Sequence, residues 1–264
     1  MTCIESHEVA YFEGVPVGVV RFNQPMEVLS SAVLNGGDRI THAYFIMQVP
    51  KDYQTDDPEA DAIRYRDGLG LPEDSVGMMT AAEVDYVFNV RSSTYGGVTV
   101  EAVATAGLSN HVVAGEVLEN WEERHAVSLE RGKRMLAGTI NIGIVSPVPL
   151  TTEAKVNLMI PLVEAKSAAL MDFGYRETGT TSDSMAVFCP VGDDRYSYTG
   201  TASDIGIAGA RAVRDAVGYA LRRRLEHPYP ERACRVLDGL GYTERLESAV
   251  MSSGIPEAEA GDYL

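Results

Sequence analysis

The chain has 264 residues, of which 45% are hydrophobic and 23% charged, so it can bury a sizeable core. Its formal net charge of −16 disfavours nucleic acids and anionic membrane surfaces, because both recognise basic partners. The N-terminus lacks the order of a secretory signal, and no apolar run is long enough to span a bilayer. Three cysteines without metal-ligand spacing indicate reduced thiols. We therefore expect a cytoplasmic protein with no nucleic-acid or membrane partner.

The elements follow from runs of Val, Ile, Tyr and Phe bounded by turn residues, and from apolar residues at helical spacing. Strands are predicted over 15–22, 43–49, 84–90, 98–104, 140–145 and 185–191, and helices over 151–173, 206–226 and 232–252. This alternation favours an α/β or α+β class, in which one domain has a mixed β-sheet packed against helices. We predict a single domain over residues 1–255, followed by an acidic C-terminal tail over 256–264.

Several familiar catalytic signatures are absent from the sequence. There is no Gly-x-Ser-x-Gly elbow, no phosphate-binding Gly-x-x-x-x-Gly-Lys-Thr loop and no His-Glu-x-x-His zinc helix. The histidines are scattered along the chain, and none forms a cluster with metal-ligand spacing. We therefore predict no metal site and activity that survives chelation.

The predicted helix 151–173 opens with Thr151 as a candidate N-cap and carries two charges in apolar surroundings. At 100° per residue, Glu164 and Lys166 lie about 160° apart around the axis, and each falls among apolar neighbours. The neighbours of Glu164 are Asn157, Ile160, Ala168 and Met171, and those of Lys166 are Met159, Leu162 and Leu170. A buried Glu or Lys is usually paired or functional, so both are candidate catalytic groups. The alternative is that one of them reaches solvent past short neighbours.

Three polar segments adjoin predicted strands. The segment 178–183 offers four hydroxyls, Gly179 and Asp183, which can supply a nucleophile, an oxyanion contact or ligand hydrogen bonds. Asn110 follows one strand, whereas Thr139 and Asn141 lie at the start of another, where amide groups can bind an amide or an oxyanion. Each segment is also compatible with ordinary turn chemistry.

Six landmarks occur in a fixed order between about residue 29 and about residue 221. They are Asn35-Gly36-Gly37, VGMMTAA at 76–82, ATAGLSN at 104–110, GTINI at 138–142, EAKSAAL at 164–170 and TGTTSD at 178–183. As an ordered set they resemble the adenosylcobinamide amidohydrolase family of cobalamin salvage. Two residues depart from the family pattern: Val163 replaces the usual Thr before Glu-Ala-Lys, and His111 replaces the usual Ala after Asn110.

The resemblance implies hydrolysis of the amide that joins the corrin propionyl arm to aminopropanol, giving adenosylcobyric acid. The partner is then a small-molecule corrinoid whose cobalt belongs to the substrate, and no cofactor is expected. By residue type, Glu164 suits a general acid or base, Lys166 or Asn141 an oxyanion contact, and Asp183 an orienting partner. Thr139 or Thr180 suits a nucleophile only beside a base.

A wide corrin edged by amides needs an apolar floor and many neutral hydrogen-bonding groups. The predicted substrate-binding residues are Asn110, Thr139, Thr178, Gly179, Thr180 and Met79. A methionine at position 79 is more often core filler, so this alternative stays open. Two other functions remain open: a corrinoid carrier without turnover, and a self-processing hydrolase that cuts before Thr139. No oligomeric state follows from the sequence.

Overall fold

The computed structural model describes residues 2–225 except 51, 52, 54, 109 and 117–138. The predicted helix 232–252 and the tail 256–264 lie outside the described residues. The strands are β1 Ile4–Phe12, β2 Val15–Ser30, β3 Gly37–Gln48, β4 Val76–Thr80, β5 Asn89–Tyr95, β6 Val98–Ala106, β7 His111–Val112, β8 Ile140–Val145, β9 Gly179–Thr180 and β10 Ser184–Pro190. The helices are α1 Pro58–Gly68, α2 Val84–Val87, α3 Thr152–Asp172 and α4 Asp204–Leu225.

Eight strands form one mixed sheet in the order β4-β3-β2-β10-β8-β6-β5, and β1 pairs with β2. The β8–β10 and β3–β4 pairs are parallel, whereas the other pairs of this sheet are antiparallel. A separate ladder of two short strands joins β7 to β9. The predicted class, a mixed sheet packed against helices, is confirmed.

The two faces of the sheet bury different groups, because successive side chains of a strand point to opposite sides. In β8, the three isoleucines face the core cluster that contains α3 and α4. Val145 belongs to a second cluster on the other face, with Tyr44 and Phe188. A Cβ at Gly143 would lie 2.9 Å from the Tyr44 ring, so glycine lets that ring approach the strand. Asn141 shares this second face with Gly143 and Val145.

The structure extends or corrects several predicted elements. The predicted strand 84–90 is wrong in its first half, where α2 forms one helical turn that ends with Phe88 N donating to Val84 O at 3.0 Å. Gln48 fixes the start of this turn by accepting from Val84 N at 2.9 Å, so tertiary contacts override the strand preference of the valines.

Among the described residues, no helix is long and apolar enough to cross a membrane.

Candidate active site

Lys166 lies on the side of α3 that faces the protein interior and is only 7% exposed. The helix begins where predicted, since the Thr151 side chain accepts from Ala154 N at 3.2 Å. Lys166 Nζ donates to Asp183 Oδ2 at 2.5 Å. The predicted burial of Lys166 is confirmed, and a carboxylate compensates the cost of burying its charge.

Asp183 directly precedes β10, and donors from three residues hold its carboxylate. Lys166 Nζ contacts Oδ2, while Ile140 N donates to Oδ1 at 3.1 Å and the Thr180 hydroxyl to Oδ1 at 2.5 Å. The Thr180 N–H lies 3.2 Å from both oxygens. Such a carboxylate cannot rotate without losing several charge-assisted hydrogen bonds, so it fixes the ammonium group of Lys166 relative to β8 and β9.

Gly179 makes the close approach of this ion pair possible. A Cβ at this position would collide with the Asp183 carboxylate and would lie 2.5 Å from Lys166 Nζ. Any side chain here would therefore separate the two charges or displace β9. The predicted site residues Lys166, Gly179, Thr180 and Asp183 thus meet in one place.

Two hydroxyls border the ion pair at the start of β8. Thr139 Oγ1 lies 2.9 Å from Ser182 Oγ, and Thr139 is 7% exposed. Thr139 precedes Ile140, whose N–H binds Asp183. One carboxylate therefore positions both the ammonium group and the strand end that carries the Thr139 hydroxyl.

Asn141 and Thr105 are opposite each other on β8 and β6, and both are fully buried. Asn141 Nδ2 donates to the Met79 carbonyl at 2.8 Å. Asn141 Oδ1 and Thr105 Oγ1 have no hydrogen-bond partner among the described residues. An unpaired buried polar group costs about 1–3 kcal/mol, so the pair suits a water or a polar group of a ligand. The Met79 side chain packs partly buried against the core cluster around Phe45 and Tyr65.

Asn110 and Thr178 join the loops around the β7–β9 ladder. Asn110 Nδ2 donates to Thr181 Oγ1 at 2.6 Å, whereas its Oδ1 is buried and has no partner among the described residues. Thr178 Oγ1 accepts from Ala114 N at 2.9 Å. Asn110 therefore contacts the Thr180–Asp183 turn and Thr178 directly precedes Gly179, while their predicted role in substrate binding stays a prediction.

The predicted burial of Glu164 is wrong. Glu164 lies on the exposed side of α3, with Ile160 at 54% and Met171 at 67% exposure on the same side. The helix is apolar on two sides, and the side with Leu158, Leu162 and Ala169 packs into the core. Because Glu164 and Lys166 project about 160° apart, Glu164 points away from the Lys166–Asp183 pair.

Sequence reasoning missed two charged groups. His111 Nδ1 lies 3.0 Å from Glu177 Oε1, an ion pair by distance rather than an aligned hydrogen bond, in which both side chains are about four-fifths buried. At the other end of α3, the fully buried Lys155 contacts Glu27 at 3.1 Å and Asp38 at 3.3 Å. These partners are distant in sequence, and no spacing rule connects them.

The charges of the cluster formed by Lys155, Glu27, Asp38 and Arg195 balance one another. Burial alone would raise the pKa of Glu27, but hydrogen bonds from Arg195 and Lys155 outweigh it and lower that pKa below its ordinary value. Arg195 Nη2 approaches Glu27 Oε1 to 2.5 Å. Two cations and two carboxylates thus satisfy one another without an outside ligand.

The Lys166 end instead combines a fixed ammonium group with neighbouring hydroxyls, and a positioned ammonium group can stabilise an oxyanion. The protein is an amidohydrolase. It belongs to the adenosylcobinamide amidohydrolase family, whose model matches residues 2–228. The resemblance noted in the sequence is thereby confirmed.

Two relatives carry the name adenosylcobinamide amidohydrolase. The Halobacterium salinarum protein is 29% identical over 211 residues, which cover 78% of this chain and 85% of that one. The Methanosarcina mazei protein is 29% identical over 201 residues, which cover 74% of this chain and 88% of that one.

Two solved structures are more distant. One is the L-aminopeptidase D-Ala-esterase/amidase from Ochrobactrum anthropi, with a TM-score of 0.40 and 15% identity over 93% of this chain and 92% of that chain. The other is the PH0078 protein from Pyrococcus horikoshii, with a TM-score of 0.42 and 12% identity over 91% of each chain. Likeness at this distance assigns no residue role.

Proposed function

We propose that this protein hydrolyses the amide between the corrin propionyl arm and aminopropanol in adenosylcobinamide, releasing adenosylcobyric acid for cobalamin salvage. Family membership supports the substrate, and the Lys166–Asp183 pair beneath Gly179 is the observation that carries the assignment of the site. A buried ammonium group fixed by one carboxylate is suited to stabilise negative charge that develops beside it.

The reaction needs an oxyanion contact because an amide is a poor electrophile. We assign this contact to Lys166, whose Nζ is fixed by Asp183 at 2.5 Å. When the nucleophile adds, the carbonyl oxygen becomes negative and gains more from the ammonium group than the ground-state carbonyl does. Asp183 then acts as a positioning residue, since its oxygens are occupied by protein donors.

The neutral groups of the site suit the substrate's other needs. The corrin edge carries primary amides, whose N–H groups match the unpaired oxygen Asn110 Oδ1. We assign the hydroxyl pair Thr139–Ser182 to orient the attacking water. Thr178, Gly179 and Thr180 shape this part of the site, and Met79 supports it through its carbonyl contact with Asn141.

The decisive experiment incubates purified protein with adenosylcobinamide and follows the corrinoid and the released amine by mass analysis. We expect stoichiometric adenosylcobyric acid and aminopropanol, at the same rate with and without a chelator, because no three His, Cys, Asp or Glu residues cluster within the described ranges. Tight binding without conversion would favour the carrier function. Loss of activity on chelation and recovery with a divalent ion would overturn the metal-free prediction.

We also propose a cytoplasmic location. The three cysteines without metal-ligand spacing are compatible with a reducing compartment. Within the described residues, Cys3 and Cys189 are buried free thiols. Fractionation of the source cells with an antibody to the protein tests this location, and recovery with an oxidising compartment would contradict it.

A further inference from the structure

Asn141 and Thr105 face each other inside the protein. They are register partners on β8 and β6, and opposite residues of an antiparallel pair have side chains on the same face, about 5 Å apart. Val145 on β8 and Val103 on β6 share this face and belong to the core cluster that contains Tyr44. Both polar side chains are fully buried, so a corrinoid at the surface cannot reach them.

The amide of Asn141 is fixed in one orientation. Its Nδ2 donates to the carbonyl of Met79 on β4 at 2.8 Å. Since β4 and β8 are not neighbours in the order of the sheet, this bond crosses the interior between two parts of the sheet. A reversed amide would place two oxygens against each other. Asn141 Oδ1 therefore points away from the Met79 carbonyl.

The space beside Asn141 Oδ1 is polar on two sides and closed towards the core. Neither Asn141 Oδ1 nor Thr105 Oγ1 has a hydrogen-bond partner among the described residues, so the two groups do not bind each other directly. Oδ1 can only accept, whereas the hydroxyl can donate and accept. Gly143 is the next residue of β8 on this face, and the fully buried Tyr44 ring packs against it. A polar, enclosed space of this kind suits a bound water, because buried waters satisfy such unpaired groups.

We propose that one water molecule is bound inside the protein between β6 and β8, where it donates to Asn141 Oδ1 and shares a hydrogen bond with Thr105 Oγ1. The water completes a polar connection that runs from Met79 on β4 through Asn141 to Thr105 on β6. This connection steadies the start of β8, which carries the Ile140 N–H that binds Asp183. The water belongs to the fold and is distinct from the water that attacks the substrate.

The sign of a change in thermal stability tests this site. Thr105→Val replaces the hydroxyl with a methyl group of similar size. If a water is bound, the thermal midpoint should fall by about 2–4 °C, because the water and Asn141 each lose part of their hydrogen bonding. If the hydroxyl is dry and unpaired, the midpoint should rise, because the methyl group removes a buried polar group without the loss of any hydrogen bond.

Crystal structures of the wild type and the variants supply the second measurement. In the wild type and in Thr105→Ser, which keeps the hydroxyl, we expect an electron-density peak within about 2.6–3.2 Å of both Asn141 Oδ1 and the hydroxyl oxygen. Thr105→Val should lack this peak. Thr199→Val is the matched control, since Thr199 is also fully buried but donates to the Ala154 carbonyl at 2.6 Å. It should lower the thermal midpoint and leave the peak in place.

Three results would overturn the water site. They are a direct hydrogen bond between Asn141 and Thr105, a protein side chain at the position of the peak, and a higher thermal midpoint for Thr105→Val than for the wild type.

Discussion

The two buried lysines of α3 occupy contrasting environments. Lys155 and Lys166 lie about 16 Å apart along the axis and on the same side of the helix. Lys155 is enclosed by Glu27 and Asp38, and Arg195 completes the charge balance. Among the described residues, the carboxylate partner of Lys166 is Asp183, which also accepts from main-chain donors of β8 and β9. Burial of a charge therefore does not by itself identify a catalytic group, and the catalytic role of Lys166 stays a prediction.

The largest effect is expected from Lys166→Met, which keeps much of the side-chain volume and removes the ammonium group. Turnover of the folded variant should fall about 10²–10³-fold, because a lost oxyanion contact has this size. Substrate affinity should change less than kcat, since the contact strengthens in the transition state. Steady-state kinetics on adenosylcobinamide measures both parameters. Near-normal kcat would place Lys166 with Lys155 as a structural residue.

Lys155→Met should produce the opposite phenotype. Removal of one partner from a buried charge cluster leaves the charge of Glu27 less compensated. We therefore expect the free energy of unfolding to fall by about 3 kcal/mol. Turnover per folded molecule should stay near that of the wild type. Denaturant unfolding measures the first quantity. The control is Arg214→Met, which breaks the exposed contact of Arg214 with Asp172. This substitution should lower the free energy of unfolding by less than about 1 kcal/mol.

The Lys155 cluster should also make the fold sensitive to acid. The pKa of Glu27 is lowered in the folded protein, so the ionised carboxylate stabilises the fold at neutral pH. This contribution is lost as pH falls through the folded-state pKa. Unfolding midpoints between neutral and acid pH should therefore decline less steeply for Glu27→Gln than for the wild type. Parallel curves would show that Glu27 does not couple folding to pH.

The smallest effect is expected from Glu164→Gln. Glu164 is exposed and lies opposite Lys166 on α3. We therefore expect turnover within about twofold of the wild type and a free energy of unfolding within about 0.5 kcal/mol of it. The same kinetic and unfolding measurements apply. A loss of turnover of 10²-fold or more, the size typical of proton transfer, would restore the role that residue type alone suggested.

Local patterns predicted much of this architecture. Ile140–Val145 forms a strand with the predicted bounds, and Thr151 caps α3 as expected. Lys166 and Asp183 were both predicted site residues, but their ion pair across 17 residues was not predicted.

Contacts between distant segments were not predictable. The apolar residues of α3 occur on two sides, so periodicity alone could not decide that the side with Glu164 faces outward. Lys155 binds Glu27 across 128 residues, and His111 meets Glu177 only because β7 pairs with β9. The roles of Lys166, Asp183 and Asn141 in catalysis, and of Asn110 and Thr139 in substrate binding, stay predictions.

The most direct test of the central claim is hydrolysis of adenosylcobinamide in ¹⁸O-labelled water by wild-type protein, Lys155→Met and Lys166→Met. Amide hydrolysis at the Lys166 end predicts one ¹⁸O atom in the new carboxylate of adenosylcobyric acid and one released aminopropanol per turnover. Lys155→Met should form this labelled product at nearly the wild-type rate when folded, and Lys166→Met should form almost none. Unlabelled product, or equal product from both variants, would contradict the account.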